Sequence, residues 1–199
     1  MPRRRTLIEP PLYWTDKPVP VAPPALPVVA ERGGTQLNAP KATIIVDTRE
    51  QMPFKFSRFR GWFAGVKKKA LKVGDYSVAG LEDYVTVERK DLPDLIQSFS
   101  TNRAVFVGRL RKMADYSHRL LVVTASLSEV KSSYGGVSID PNRITQSLIA
   151  TLAGAGVPFI CAETHELGAE ITASYLYQIH LYHWLEEQGE DRQLVEDDL

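Results

Sequence analysis

The amino-acid sequence predicts an α/β protein in which a mixed central sheet is covered by helices on both faces. The predicted elements come as strands first, then helices, and then strands and helices in alternation, an order typical of such a sheet. Several of the strands are apolar throughout, as expected when both faces of a strand are buried. With 199 residues, 44% of them hydrophobic and 24% charged, the chain fits one well-packed domain.

Three strands are predicted in the first half of the chain. The run TIIVD at 43–47 is short, β-branched and apolar and ends on an acid, which is typical of a buried strand. Residues 66–80 are predicted as a second strand interrupted at Gly74, and residues 83–89 as a third, with a turn near Gly80 between them. Together these strands indicate a meander.

Two helices are predicted after the meander. Asp91 can cap the first helix by accepting a hydrogen bond from its first turn, and Pro93 is acceptable because it falls in that turn. The apolar residues of this helix lie on one face: Leu92, Leu95, Ile96 and Phe99. The second helix is predicted from Arg103 to about Tyr116.

Strands and helices alternate in the second half of the chain. Residues 119–125 are predicted as a central strand and residues 157–163 as another buried strand, because both runs are almost wholly apolar. A helix is predicted over 142–156 and a long one over 166–189. The first of these two helices has its apolar residues at helical spacing, namely Ile144, Leu148, Ile149 and Leu152.

Composition divides the chain into three parts. Residues 1–41 hold nine of the thirteen prolines and show no sustained helix or strand period, which predicts a disordered or extended leader. Residues 42–188 carry the predicted elements and form the ordered domain. Residues 189–199 are predicted as an acidic, disordered tail.

Several classes of protein are excluded by composition. No apolar run approaches the roughly 20 residues that span a bilayer, and the segment after Arg3–Arg5 is proline-rich instead of a secretory signal. We therefore expect an intracellular protein without a membrane partner, cytoplasmic and nucleoid-associated if the chain is prokaryotic or viral. Cys161 is the only cysteine, which excludes an internal disulfide framework and a cysteine-rich zinc site.

Charged side chains occur where the predicted strands end. Asp47 ends the first strand, Asp75 follows Gly74, and Glu88 ends the third strand with Lys90 two residues on and so on the same side. Carboxylates gathered in this way repel one another unless they share a proton or a divalent cation. Oxygen ligands without cysteine suit Mg²⁺ or Mn²⁺. A nearby lysine can orient the attacking water and stabilise charge on a phosphate. The alternative is a solvated charged triplet at 88–90.

Three segments together resemble the motifs of the XPF-type structure-specific endonuclease domain of the PD-(D/E)XK nuclease superfamily. They are VDTRE at 46–50, VGDY at 73–76 and VERKDLPDL at 87–95. The mark of that family is Gly-Asp followed by Glu-Arg-Lys, three residues and Asp, and all of these positions are present. The resemblance covers about residues 42–188 and implies a restriction-endonuclease-like fold. The tandem helix-hairpin-helix module of many members is not recognisable, which leaves the branch preference and the partner open.

The resemblance also implies roles for individual residues. Asp47, Asp75 and Glu88 become the acidic centre and metal ligands, and Lys90 becomes the catalytic lysine. Arg49 and Arg89 match positions that hold phosphate or buttress the carboxylates, and Asp94 matches the last acid of the motif. The role of Glu50 stays open, since it could equally pair with Arg49. The implied reaction is metal-assisted hydrolysis of a DNA phosphodiester by an activated water, with a 3′-hydroxyl as leaving group.

Basic residues surround these motifs in sequence and could follow a DNA backbone. The predicted DNA-binding residues are Arg58, Lys67, Lys68, Arg103 and Arg109. Arg103 also stands where the XPF-type family tends to carry arginine. Aromatic residues are interleaved with them, namely Phe54, Phe56, Phe59 and Trp62. The alternative is a solvated basic rim with these aromatic residues in the core.

The last predicted helix offers two further hypotheses. His180 and His183 stand one turn apart and could bind a metal, although a surface or interface role is favoured because no third ligand is identifiable. The aromatic residues of this helix suggest either a homodimer interface or a core-facing stripe.

The sequence thus predicts a metal-dependent DNA endonuclease acting on branched or flapped DNA in repair or recombination, alone, as a homodimer or with another nuclease-domain protein. The alternatives are a non-catalytic DNA-binding partner or scaffold with the same fold, and an enzyme acting on RNA or small nucleotides. An inactive partner would have no chemical reason to retain the set Asp47, Asp75, Glu88, Lys90 and Asp94.

Overall fold

The computed structural model describes residues 39–134 and 139–188, so most of the predicted leader and all of the predicted acidic tail lie outside the described residues. Six strands form one sheet: β1 Thr43–Val46, β2 Gly65–Lys68, β3 Tyr76–Val78, β4 Val85–Lys90, β5 His118–Val123 and β6 Phe159–Cys161. The helices are α1 Leu92–Phe99, α2 Arg103–Met113, α3 Leu127–Val130, α4 Pro141–Ala155 and α5 His165–Glu187, with a 3-10 turn at Ser57–Phe59. This architecture confirms the predicted α/β class.

The sheet is mixed and has the strand order β2-β1-β3-β4-β5-β6. Strand β3 runs antiparallel to both of its neighbours, β1 and β4, while β4, β5 and β6 are mutually parallel and β2 is parallel to β1. Strands β1, β4 and β5 therefore end at the same edge of the sheet, where β3 begins. Charged residues placed at these strand ends are brought together by topology.

The segment 66–80 is not one interrupted strand, as the sequence predicted, but two separate strands. Strand β2 pairs with β1 on one side and β3 pairs with β1 on the other. Between them Gly74 adopts a φ of +82°, which turns the chain at a point where other residues would be strained. The predicted meander is therefore limited to β3 and β4, whose connecting turn contains Gly80.

Helices cover both faces of the sheet and form two apolar cores. Helix α5 packs on one face over residues such as Tyr76, Val87 and Val122, and helices α1, α2 and α4 pack on the other face over Leu121 and Val123. Asp91 caps α1 by accepting a hydrogen bond from the Asp94 backbone at 2.9 Å, as predicted. None of the helices in the described ranges is both long enough and apolar enough to cross a membrane.

One prediction of burial was wrong at the far edge of the sheet. Strand β6 was predicted to be buried, but it is the edge strand, and Ile160 is 41% exposed. On α4, Ile144 and Leu148 are fully buried, whereas Ile149 and Leu152 are nearly half exposed. Only a narrow stripe of α4 is buried, and helical spacing alone does not reveal the width of that stripe.

Gly74→Ala is expected to destabilise the protein by about 2–4 kcal/mol. A Cβ at this position would lie 2.1 Å from Thr86 Oγ1 and 3.0 Å from the Val87 carbonyl oxygen, in addition to the strain of its positive φ. The measurement is the urea midpoint of unfolding. Gly154→Ala is the matched control, because a Cβ there meets nothing within 4 Å inside α4, and we expect it to be neutral or stabilising. Equal midpoints for the two variants would contradict the prediction.

Candidate active site

Backbone hydrogen bonds hold three of the predicted acids at one edge of the sheet. The Asp47 N–H donates to the Asp75 carbonyl at 2.8 Å, and the Asp75 N–H donates to the Val87 carbonyl at 2.8 Å. Asp47, Asp75 and Glu88 thus follow β1, precede β3 and lie near the end of β4. The sheet itself brings these residues together, as their positions at the ends of predicted strands indicated.

Glu88 is the most deeply buried of these acids, with no exposed surface. Its Oε1 accepts a hydrogen bond from Arg109 Nη1 at 2.7 Å and lies 3.3 Å from Lys90 Nζ. Its Oε2 is buried and has no hydrogen-bond partner among the described residues. A buried carboxylate oxygen without a partner is costly, so Glu88 Oε2 is an acceptor available to a ligand.

Lys90 lies on the same face of β4 as Glu88, which confirms the prediction from strand alternation. Its side chain is 14% exposed, and its Nζ lies 5.3 Å from the centre of the Phe106 ring. The ion pair and the cation–π contact hold the ammonium group in one place. The lysine is therefore positioned beside the carboxylate instead of extending freely into solvent.

Asp75 is held against β4 and is electrostatically strained. Its Oδ2 accepts a hydrogen bond from the Arg89 N–H at 2.8 Å. Burial, together with the negative charge of Glu88, raises the pKa of Asp75 to about 7, despite that hydrogen bond. Lys90 and Arg109 both pair with Glu88, whereas Asp75 forms no ion pair among the described residues.

Asp47 differs from the other two acids because both of its carboxylate oxygens already accept hydrogen bonds from neighbouring residues. Its oxygens accept hydrogen bonds from Arg49 N, Nε and Nη2 and from Leu71 N, at 2.6–3.0 Å. Burial alone would raise the pKa of Asp47, but these hydrogen bonds hold it below its usual value. Within the described residues no three acids, histidines or cysteines form a group that could hold a metal. Asp47, Asp75 and Glu88 stay the predicted ligand set, and of these three Asp47 already accepts hydrogen bonds from Arg49 and Leu71.

The two arginines of the motifs lie in different environments. Arg49 also donates to the Leu71 carbonyl at 2.7 Å, yet its side chain is 67% exposed. Arg89 follows Glu88 in an extended strand, so its side chain points to the opposite face, where Nε and Nη2 each donate to Glu50 at 3.2 Å. Glu50 thus pairs with Arg89 and not with Arg49, the partner considered from the sequence. Arg89 buttresses the site through this buried pair and through its backbone bond to Asp75.

Asp94 lies in the first turn of α1 and is exposed. It lines the same cleft as Asp75 and Lys90. Asp91 caps α1 directly after the end of β4, and the first turn of this helix places Asp94 at the cleft.

Of the five predicted DNA-binding residues, Arg109 alone lines the cleft. Arg103 donates to Ser147 Oγ at 2.9 Å and so connects α2 with α4, while Arg58 pairs with Glu170 of α5 at 3.5 Å. Lys67 and Lys68 are exposed on the edge strand β2. The interleaved aromatic residues are all in the core, with exposures of 7% or less: Phe54, Phe56, Phe59 and Trp62. These rings are not available to stack on nucleic-acid bases.

The charged centre opens into a cleft of about 770 Å³. Its basic lining residues are Arg49, Lys72, Arg89, Lys90, Arg109 and Lys112. Sequence reasoning missed Lys72 as a cleft residue and did not connect Arg109 with Glu88. The spacing of Arg109 and Lys112, one turn apart on α2, is a signal that could have identified a basic helix face.

His180 and His183 do not converge on a common ligand. His180 Nε2 is 2.7 Å from the Pro40 carbonyl oxygen, whereas His183 packs against the Tyr84 ring at 5.0 Å and its Nδ1 lies 3.7 Å from Glu187. These contacts attach α5 to two other parts of the chain.

Asp75→Asn is expected to stabilise the metal-free protein at about pH 8 by on the order of 1 kcal/mol. Because the pKa of Asp75 is raised from 3.8 to about 7 in the folded state, the folded state binds the proton more tightly. The free energy of unfolding of the parent therefore falls as the pH rises through this window. Urea unfolding with a chelator should separate variant from parent at about pH 8 and not at about pH 4. Asp83→Asn, at an exposed carboxylate, is the control. An equal difference at both pH values would refute the assignment.

Comparisons with known proteins identify a matching family and structures with a similar fold. A family model described as the ERCC4 domain matches residues 46–175. The structure of XPF from Aeropyrum pernix is similar, with a TM-score of 0.56 and 19% identity over 74% of this chain and 69% of that chain. The complex of XPF from Aeropyrum pernix with DNA gives a TM-score of 0.54 and 20% identity over 72% of this chain and 66% of that chain. None of the curated proteins matches the sequence. These findings confirm the resemblance to the XPF-type domain and the shared fold.

Proposed function

The chain belongs to the ERCC4 domain family, and from this premise we propose that it is a metal-dependent endonuclease that hydrolyses phosphodiester bonds in branched or flapped DNA during repair or recombination. The observation that carries the proposal is the arrangement at the end of β4, where Glu88 and Lys90 lie 3.3 Å apart beside Asp75 in a cleft with a basic lining. We place the activity in residues 42–188, which contain the sheet and every residue of this centre.

Asp75 and Glu88 are the residues that would hold a divalent cation. Glu88 Oε2 is buried without a partner among the described residues, and the raised pKa of Asp75 reflects burial and repulsion by Glu88. Both features fit a carboxylate pair that requires a cation, and oxygen ligands suit Mg²⁺ or Mn²⁺. Such a cation supplies a Lewis acid that polarises the phosphate and makes a bound water more acidic.

The other residues bind and orient the DNA phosphate. Lys90 is held at the centre by Glu88 and Phe106, where its ammonium can orient the attacking water and stabilise charge that develops on the phosphate. Arg109 can contact phosphate as well as Glu88, since 43% of its side chain is exposed. Arg49 also lines the cleft, where its hydrogen bonds to Asp47 fix its position. The oxygen of the attacking water bonds to phosphorus as the bond between phosphorus and the 3′ oxygen breaks. The 3′ oxygen takes up a proton and leaves as a 3′-hydroxyl, and the phosphate stays on the 5′ oxygen of the next nucleotide.

The test is a cleavage assay with labelled flap, fork and fully paired DNA, and with single-stranded RNA of the flap sequence. Each substrate is incubated with Mg²⁺, with Mn²⁺ and with chelator. We expect cleavage of flap or fork DNA with either metal and none with chelator. Cleavage of the RNA in preference to DNA would favour the nucleotide or RNA enzyme considered above. DNA binding without cleavage of any substrate would show that the protein is a non-catalytic partner.

A further inference from the structure

Two exposed apolar side chains line the charged cleft. Among the large apolar residues of the described chain, Val105 is the most exposed at 72% and Met52 follows at 62%. Both line the cleft. The other large apolar side chains with high exposure lie outside it: Val66, Leu127, Ile149, Leu152 and Ile160. The two most exposed apolar groups are therefore located at the candidate site.

Both of these residues have fixed backbones. The Met52 N–H donates to Glu50 Oε1 at 2.7 Å, and Glu50 is paired with the buried Arg89. Val105 lies within α2, where the neighbouring Phe106 is buried against Phe99, and a β-branched side chain in a helix has one preferred rotamer. Hydrogen bonding at Met52 and the packing of α2 at Val105 thus hold these exposed side chains at the cleft.

Met52 and Val105 both lie close in sequence to charged residues of the cleft. Val105 stands one helical turn before Arg109, which contacts Glu88, and Met52 follows the segment that contains Asp47 and Arg49. Between Val105 and Arg109, Gly108 lies against open space, since a Cβ there meets nothing within 4 Å. A nucleotide whose phosphate lies at the charged centre would have room beside α2.

An apolar side chain gains nothing from a phosphate, but it is stabilised by contact with a deoxyribose or with the face of a base. The face of a base is accessible when that base is unpaired and unstacked, or when an apolar wedge such as Met opens a base step. The usual aromatic platforms are missing from the cleft, because no Phe, Tyr or Trp is among its lining residues in the described chain. Met52 is suited to this contact, since its flexible thioether adapts to different surfaces.

We propose that Met52 and Val105 determine specificity by contacting the sugar and base of an unstacked nucleotide next to the scissile phosphate. This inference rests on the proposed nuclease function and deepens it. The two residues favour DNA with unpaired nucleotides at the cleavage position over continuous duplex. Neither residue takes part in the chemistry, so they are specificity residues and not catalytic ones.

The test uses the full chain with Met52→Ala and Val105→Ala, singly and combined. Two DNAs of the same labelled strand are compared, one fully paired and one with a short unpaired segment. We expect the double variant to lose about tenfold in the ratio of kcat/KM for unpaired over paired DNA, and each single variant to lose less. The matched control is the double variant Leu127→Ala with Ile149→Ala, which removes two exposed apolar side chains outside the cleft and should keep the parental ratio. An unchanged ratio in the Met52/Val105 variant, or an equal loss in the control, overturns the inference.

A binding measurement separates this inference from the proposed function. Dissociation constants for the same two DNAs are measured by fluorescence anisotropy in the presence of chelator. If the parent cuts neither DNA, the proposed function fails, and the inference is then decided by binding. A parental preference for unpaired DNA that the Met52/Val105 double variant loses supports it. Equal preference in parent and variant, or no preference in the parent, overturns it.

Discussion

Lys90→Ala is expected to lower the rate of DNA cleavage by about a thousandfold and to leave DNA binding within a few-fold of the parent. The lysine ammonium lies 3.3 Å from Glu88 Oε1 at the floor of the cleft, where it can act on the attacking water and the developing charge. The other basic residues of the cleft are the proposed phosphate contacts, and we expect Glu88 to keep its 2.7 Å bond to Arg109 when the lysine is removed. The fold and the affinity for DNA therefore survive the substitution.

The measurements are single-turnover cleavage of flap DNA and anisotropy binding of the same DNA. Lys131→Ala is the matched control, because Lys131 is an exposed lysine outside the cleft, and it should behave as the parent. Lys90→Arg should not restore the rate, since a guanidinium remains protonated and is larger and planar. If Lys90→Ala lost binding and cleavage equally, Lys90 would be a DNA-binding residue and not a catalytic one.

Glu88→Gln is expected to lower cleavage at a fixed Mg²⁺ concentration by about a thousandfold and to weaken Mn²⁺ binding. The substitution removes the negative charge of a fully buried carboxylate whose Oε2 has no partner among the described residues. The amide keeps the shape and can still accept from Arg109, so the free energy of unfolding should change little. Calorimetric titration with Mn²⁺ measures the binding independently of cleavage.

A second buried glutamate in the chain provides the control for this prediction. Glu170 is 1% exposed and lies 3.5 Å from Arg58 on the α5 side of the sheet, and neither of its carboxylate oxygens has a hydrogen-bond partner in the part of the chain that the structure describes. Glu170→Gln therefore makes the same chemical change away from the cleft. It should leave cleavage and Mn²⁺ binding unchanged. Loss of Mn²⁺ binding in both variants would show that the loss at Glu88 reflects the fold and not the site.

Much of the fold could be predicted because it depends on local pattern. Strand β1, the hairpin of β3 and β4, the cap at Asp91 and the long helix α5 follow from apolar period, turn residues and capping chemistry. The predictions that were wrong concern segments whose structure depends on which strand they pair with. Residues 66–80 form two strands on opposite sides of β1, and β6 is an edge strand. An apolar run is the same in sequence whether its neighbour is another strand or solvent.

The sequence by itself determined which charged residues stand at the strand ends, and that Glu88 and Lys90 share one face, because side chains alternate along any strand. Only the tertiary structure decided how these charges are paired. Arg109 reaches Glu88 from a helix 21 residues away, Leu71 and Arg49 occupy Asp47, and Arg89 turns to Glu50. Apart from the bond between Arg49 and Asp47, which are two residues apart, these contacts join residues that are distant in the chain, and no local period encodes them. Lys90 and Arg109 both pair with Glu88, while Asp75 forms no ion pair among the described residues, and we propose the carboxylate of Asp75 and Glu88 Oε2 as the acceptors for a cation.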